Sequence, residues 1–321
     1  EQINGEDFYS DIPWVPYVYF PYERGEVKTI YGQPVTRRNF RSYSDYFSFI
    51  KDKKDIFEDR VRPEIQFLAE RYYSIPDEEL TVPKLRVYSL DIECELRVGY
   101  PSVDDPKDPI NLVSIYDNKT DTTTVFGLKD YTGGKFFNEK YVRYFKCDNE
   151  RMLLNRLLNF LNKFPPDVIT GWSVYDFDIP YIINRSKRVF SDPNEYMRLS
   201  PIKDVQVWEA KNGKMNVNIS GVSILDYIDL YKWYAPTKLE RYSLDYVSNY
   251  ELEKGKVDYS QYKDLKELCE KDWNLFVDYN ITDALRVHQL EKKLGYINMV
   301  QSLSLLTKCP MRYYDTMTQL I

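Results

Sequence analysis

A chain of 321 residues has room for two domains of ordinary size, or for one large domain with an appendage. Its 44 basic and 50 acidic residues leave a formal charge of −6, which argues against a protein that holds nucleic acid on a broad basic surface. Aromatic residues make up 16% of the chain and thirty are tyrosine, so this is a globular composition whose core is rich in rings with hydroxyls to satisfy.

Cys94, Cys147, Cys269 and Cys309 lie far apart with no CxxC or Cys/His pairing, so neither zinc nor a disulfide framework is expected. Reduced thiols, no leader and no apolar run of membrane-spanning length predict a cytoplasmic protein with no membrane partner.

In chain order, Tyr17–Phe20 and Glu26–Ile30 read as short extended pieces, and Tyr31-Gly32-Gln33-Pro34 as a turn. The spacing of Tyr43, Tyr46, Phe47, Phe49 and Ile50 predicts an amphipathic helix from Ser42 to Asp55. Residues 1–83 then form a small α+β lobe that ends at Pro83. From Leu85 the pattern turns to strands, at Leu85–Ile92, Ile110–Asp117 and Thr122–Phe126. Asp148 is the expected cap of a helix carrying Leu153, Leu157, Phe160, Leu161 and Phe164, stopped by Pro165-Pro166. A strand follows at Val168–Gly171. The runs Val205–Ala210 and Lys214–Ile219 around Asn212-Gly213 predict a hairpin with a two-residue turn. Val222–Leu230 reads as a further strand, Asn274–Lys293 as a helix, and Tyr296–Ile321 as more helix. Strands first, then strands alternating with helices, imply an α/β fold with a mixed sheet covered by helices.

The chemistry is carried by acids in three separate contexts. Asp91 and Glu93 close an apolar strand and, being two apart, share one face of it, where each would rather be protonated unless a cation lies between them. Phe177-Asp178 opens a helix just after the strand Val168–Gly171. Tyr279 and Asp283 are one turn apart on a helix face. Each alone is an ordinary solvated or helix-start residue. Together, four carboxylates suit a pair of divalent cations that lower the pKa of a water and stabilise the attacking and leaving oxygens of a phosphoryl displacement. Hard oxygen ligands imply Mg²⁺ or Mn²⁺. A tyrosine beside them can orient the attacking water.

The segments Tyr88-Ser-Leu-Asp-Ile-Glu93, Thr170-Gly-Trp-Ser-Val-Tyr-Asp-Phe-Asp-Ile-Pro180 and Tyr279-Asn-Ile-Thr-Asp283 resemble, in order and spacing, the three exonuclease motifs of B-family DNA polymerases. The tyrosine of the third marks the DEDDy subclass. Gly221–Tyr231 and Tyr242-Ser-Leu-Asp-Tyr246 are similar to polymerases of T-even-type bacteriophages, and the resemblance runs from Ile30 nearly to the end. It implies an RNase H-like exonuclease domain at about 84–295, with the lobe 1–83 joined by the tail 296–321. It also implies Asp91, Glu93, Asp178 and Asp283 as metal ligands and Tyr279 as a catalytic partner. By the same resemblance Tyr100 is a platform for the primer's terminal base, Lys256 a contact to the scissile phosphate region, Phe177 a substrate contact, and the Asn212-Gly213 hairpin a strand separator. Ser173 stands where the family usually has asparagine, a weaker contact to the terminal nucleotide. His288 is expected to be an ordinary helix residue.

The expected activity is 3′→5′ proofreading of single-stranded or frayed primer ends, releasing deoxynucleoside monophosphates. Neither Asp-x-x-Ser-Leu-Tyr-Pro-Ser nor Asp-Thr-Asp, the polymerase's own metal segments, occurs in the chain. Primer extension would therefore come from a remaining polymerase part, the chain being an excised piece or one product of a split gene. The competing expectation is a non-catalytic DNA-binding or assembly module of such a polymerase.

Overall fold

A computed structural model describes residues 2–3, 6–7, 15–51, 53–59, 61, 63–72, 74–79, 82–96, 101–211, 213–255, 257–307 and 310–311. The chain divides into two compact units: one up to Val82 together with Leu303–Pro310, the other centred on Pro83–Ser302.

In the first unit β1 (Gln2–Ile3) pairs antiparallel with β2 (Glu6–Asp7). A second antiparallel sheet places β5 (Pro34–Asn39) between β3 (Tyr17–Pro21) and β4 (Val27–Lys28). β4 is shorter than the expected Glu26–Ile30 because the Thr29 hydroxyl accepts from the N–H groups of Tyr31 and Gln33, which turns the chain at Thr29. Helix α1 (Tyr43–Lys51) buries Tyr46 against Val18 and Phe40 and stops before the expected Asp55. Helix α2 (Pro63–Tyr72) begins on proline, the residue best suited to a first helical position.

The second unit is built on a six-stranded mixed sheet in the order β13-β10-β6-β7-β8-β9. β6 (Val87–Cys94), β7 (Ile110–Asp117) and β8 (Thr122–Gly127) run antiparallel. β9 (Val142–Lys146) is parallel to β8, while β10 (Val168–Gly171) lies parallel to both β6 and β13 (Ser223–Asp226). The strand expected over Val222–Leu230 is thus only four residues long. It ends where the Asp226 carboxylate accepts from the Ile228 N–H and starts helix α5 (Tyr227–Tyr234).

One face of this sheet packs Leu90, Ile92, Val113 and Ile115 against α3 (Glu150–Lys163) and α4 (Ile179–Val189). Asn149 caps α3 by accepting from the Met152 N–H, which moves the start one residue past the expected Asp148. The other face packs Leu112 and Val125 against α7 (Leu265–Lys271) and the 22-residue α8 (Trp273–Leu294). Helix α6 (Leu244–Leu252) also contacts α8, and Gly295, at φ +68, separates α8 from α9 (Tyr296–Thr307). Between α4 and α5 the hairpin β11 (Val205–Glu209) and β12 (Met215–Ile219) closes on Ala210 and Lys214, with Gly213 at φ +80. That is a three-residue loop with glycine in the left-handed position, instead of the expected two-residue turn; Asn212 lies outside the described residues.

Candidate active site

Strand β6 sets the site by its pleat. Leu90, Ile92 and Cys94 are buried, while Asp91 and Glu93 are half-buried and stand opposite Ser114 and Leu112 of β7, on the side that α8 covers. From α8, Asn280 donates through Nδ2 to Asp91 Oδ2 at 2.5 Å. Tyr279 and Asp283 occupy the same helix, half-buried, and the Tyr279 ring meets Tyr259 edge-on with centroids 5.7 Å apart.

Asp178 reaches this strand from the other side of the chain. β10 ends at Gly171, where a Cβ would lie 2.5 Å from the Leu90 carbonyl oxygen and 2.9 Å from Val174 Cβ, so only glycine fits. Ser173 follows in the left-handed region at φ 73, and Val174–Asp178 forms a π-helical turn leading into α4. Asp178 makes no capping bond to that helix. Its carboxylate instead accepts from the Ile92 N–H at 3.0 Å, between Asp91 and Glu93 in sequence.

The electrostatics tie these groups together. Burial, then the charges of Glu93, Asp178 and Asp283, push Asp91 well above the ordinary carboxylate range, with the Asn280 amide pulling it back. Glu93 is raised by burial and then by Asp283 and Asp178. Burial raises Asp178 to about 8, opposed by the Ile92 N–H and reinforced by Asp226. The Tyr279 phenol is raised above its usual range by burial and by Asp283, Glu93 and Asp91, so it keeps its proton at neutral pH.

The structure therefore brings Asp91, Glu93, Asp178, Asp283 and Tyr279 within electrostatic reach of one another. It does not present them as a finished chelate: among the described residues no three His, Cys, Asp or Glu side chains stand where they would hold a metal ion. The donor chemistry nevertheless suits a hard cation, because the carboxylates repel one another in a partly buried place. Beside them Asn280 Oδ1 and Ser114 Oγ are buried with no hydrogen-bond partner among the described residues. Phe177 is half-buried and packs against Tyr181, with ring centroids 5.2 Å apart. Tyr100 and Lys256 lie outside the described residues. His288 stacks on Tyr116 at 4.2 Å, with Nε2 3.2 Å from the phenol oxygen.

Two residues at the site escaped the sequence reading. Asn280 sits inside the third motif but points from α8 to Asp91, a contact for which a lone asparagine gives no signal. Asp226 is 1% exposed and accepts from the N–H groups of Ser173 and Tyr175, at 3.0 and 2.9 Å. Its place in an apolar strand was the only hint, since an acid there needs a partner.

A mixed sheet flanked by helices, with acids on its central strand facing a helix that supplies a further acid and a tyrosine, is consistent with an α/β nuclease of the RNase H-like kind. The chain matches the family described as DNA polymerase family B, exonuclease domain, over residues 47–247, and it belongs to that family. It is 33% identical over 298 residues to the DNA-directed DNA polymerase of Escherichia phage RB69, covering 84% of this chain and 32% of that protein. It is 29% identical over 337 residues to the DNA-directed DNA polymerase of Enterobacteria phage T4, covering 96% and 37%. With the DNA polymerase delta catalytic subunit of Caenorhabditis elegans it shares 29% over 257 residues, covering 75% and 23%. The chain thus spans about a third of the length of the phage relatives. No helix among the described residues is long and apolar enough to cross a membrane.

Proposed function

We propose that this chain is the 3′→5′ proofreading exonuclease of a B-family DNA polymerase, of the DEDDy kind, acting on single-stranded or frayed primer ends and releasing deoxynucleoside monophosphates. The exonuclease domain is taken as about 84–295, with the lobe 1–83 joined by the tail 296–321. The observation that supports the reading is mutual electrostatic proximity: Glu93, Asp178 and Asp283 each raise the proton affinity of Asp91, and Asp283 and Asp178 raise that of Glu93. Family membership and the polymerase relatives support it.

Asp91, Glu93, Asp178 and Asp283 would hold two divalent cations, Mg²⁺ or Mn²⁺. When bound, such a pair supplies an acidified water and charge neutralisation at the phosphate. Asn280 fixes the Asp91 carboxylate by its 2.5 Å bond. Tyr279 is a protonated phenol that donates toward the attacking water, and the Tyr259 ring packed edge-on limits its rotation. Ser173 and Phe177 precede Asp178 in the same turn and would meet the terminal nucleotide, with Tyr100 stacking on its base and Lys256 offsetting phosphate charge. A duplex end must unpair to enter, which favours mismatched primers. The remaining polymerase domains are the natural partner.

The test is digestion of a 5′-labelled single-stranded oligonucleotide with Mg²⁺ or Mn²⁺. The wild-type protein should shorten it one nucleotide at a time. Asp91→Ala and Asp283→Ala should fold normally by circular dichroism and lose on the order of 10³-fold or more in rate, the scale of several kcal/mol of transition-state charge stabilisation. Undiminished digestion by either variant would refute the assignment. A wild-type protein that binds primer-template without degrading it would establish the non-catalytic module instead.

A further inference from the structure

The segment from Gly171 to Asp178 carries one of the four acids, yet its backbone is held by a carboxylate outside all three motifs. We propose that Asp226 is a positioning residue for the exonuclease reaction, holding the loop that delivers Asp178 to β6; the inference rests on the site reading given above.

Gly171 and Asp226 are register partners at the ends of the parallel strands β10 and β13, so the Asp226 side chain emerges where the loop begins. Its Oδ1 accepts from the Ser173 N–H at 3.0 Å and its Oδ2 from the Tyr175 N–H at 2.9 Å. Oδ1 also accepts from Ile228 N–H at 3.3 Å, the longest of the three bonds. The two shorter bonds clamp a segment that would not hold this shape unaided. Ser173 is a non-glycine residue in the left-handed region, and the π-helical turn after it is a rare conformation that recurs at functional sites.

The rest of the segment is anchored around the same clamp. Trp172 donates through Nε1 to the Tyr242 carbonyl at 2.9 Å, and Asp176 pairs with Lys214 at 2.5 Å. At the far end Asp178 accepts from the Ile92 N–H, which fixes where its carboxylate stands relative to Asp91 and Glu93. A forked, acceptor-only side chain matches three converging N–H donors. An amide of the same size would turn its own N–H group toward one of them, and a hydroxyl would reach one donor at a time. A residue that merely capped α5 would need only the longest of the three bonds.

The experiment compares wild type, Asp226→Asn and Asp226→Ser, both of which keep an oxygen able to cap α5, with Asn149→Ala, which removes the cap of α3. Thermal melts are recorded, and kcat and KM for a single-stranded oligonucleotide and the Mg²⁺ concentration giving half-maximal rate are measured below every melting transition. At least one Asp226 variant should fold and show kcat down about 10–100-fold with a raised Mg²⁺ requirement, the range for residues that orient metal ligands, and KM for DNA within about twofold. Asn149→Ala should melt earlier at unchanged kcat. Folded Asp226 variants with wild-type kcat and Mg²⁺ requirement, or failure of both variants to fold, would overturn the inference and assign Asp226 to stability alone. An inactive wild-type protein removes the site reading and this inference with it, whereas an active wild type beside equally active, folded Asp226 variants removes only this inference.

Discussion

The two faces of the six-stranded sheet are made by the same strands and answer to opposite demands. Toward α3 and α4, β6 sends Leu90, Ile92 and Cys94 into a continuous apolar cluster. Toward α8, one residue away in sequence each time, it sends Asp91 and Glu93, which burial and mutual repulsion disfavour as charges. Along β6 the apolar side chains lower the free energy of the folded chain, and the two carboxylates, although set beside the apolar cluster of Leu112 and Val125, raise it. A two-residue period lets one strand do both, so stability and chemistry should separate cleanly by mutation.

The largest expected effect tests the apolar face. Leu90→Ala removes a side chain 1% exposed and should cost about 2–5 kcal/mol in urea denaturation. Activity per folded molecule at low temperature should stay close to wild type. A variant that loses activity while keeping its stability would break the comparison.

Gly171→Ala should disturb both faces, because the added Cβ meets the Leu90 carbonyl, just before Asp91, and Val174, within the turn that ends in Asp178. A stability loss of about 1–3 kcal/mol is expected, together with lower exonuclease activity in the folded fraction. Unchanged activity would show that the loop tolerates displacement of its start.

A pH dependence sharpens the acidic face. Asp178 is pushed up to about 8 from an ordinary 3.8, so between those values the folded protein binds the proton that the unfolded chain has released. Its contribution to stability is therefore fully present below pH 4 and is lost as pH rises through 8. In EDTA, the melting temperature of wild type should fall relative to that of Asp178→Asn as pH increases from 5 to 8.5. Stabilisation by added Mg²⁺ should grow over the same range, as the cation competes with fewer protons. Parallel pH profiles for the two proteins would contradict the raised carboxyl.

Much of this was legible in the sequence because it is local. The β6 pleat, the apolar rhythm of α3 and the spacing of Tyr279 and Asp283 are periodicities of one segment, and the motif order pointed to the family. The errors arose where a side chain chose among neighbours. Asn149 took the cap expected of Asp148, Asp226 ended a strand expected to run to Leu230, and the hairpin closed one residue wider than the Asn212-Gly213 signal suggested. Such choices turn on hydrogen-bond competition over single residues, which periodicity does not resolve.

By itself the sequence determined which residues are acidic, which face of a strand or helix each occupies, and in what order they come, because backbone geometry converts spacing directly into direction. Only the tertiary structure decided that Asp178 accepts from the Ile92 N–H, that Asn280 holds Asp91, and that Asp226 clamps the loop between them. Those contacts join residues between 51 and 189 positions apart. They exist because a buried carboxylate takes whatever donors the packed chain brings to it, and that supply is set by how the strands are ordered in the sheet.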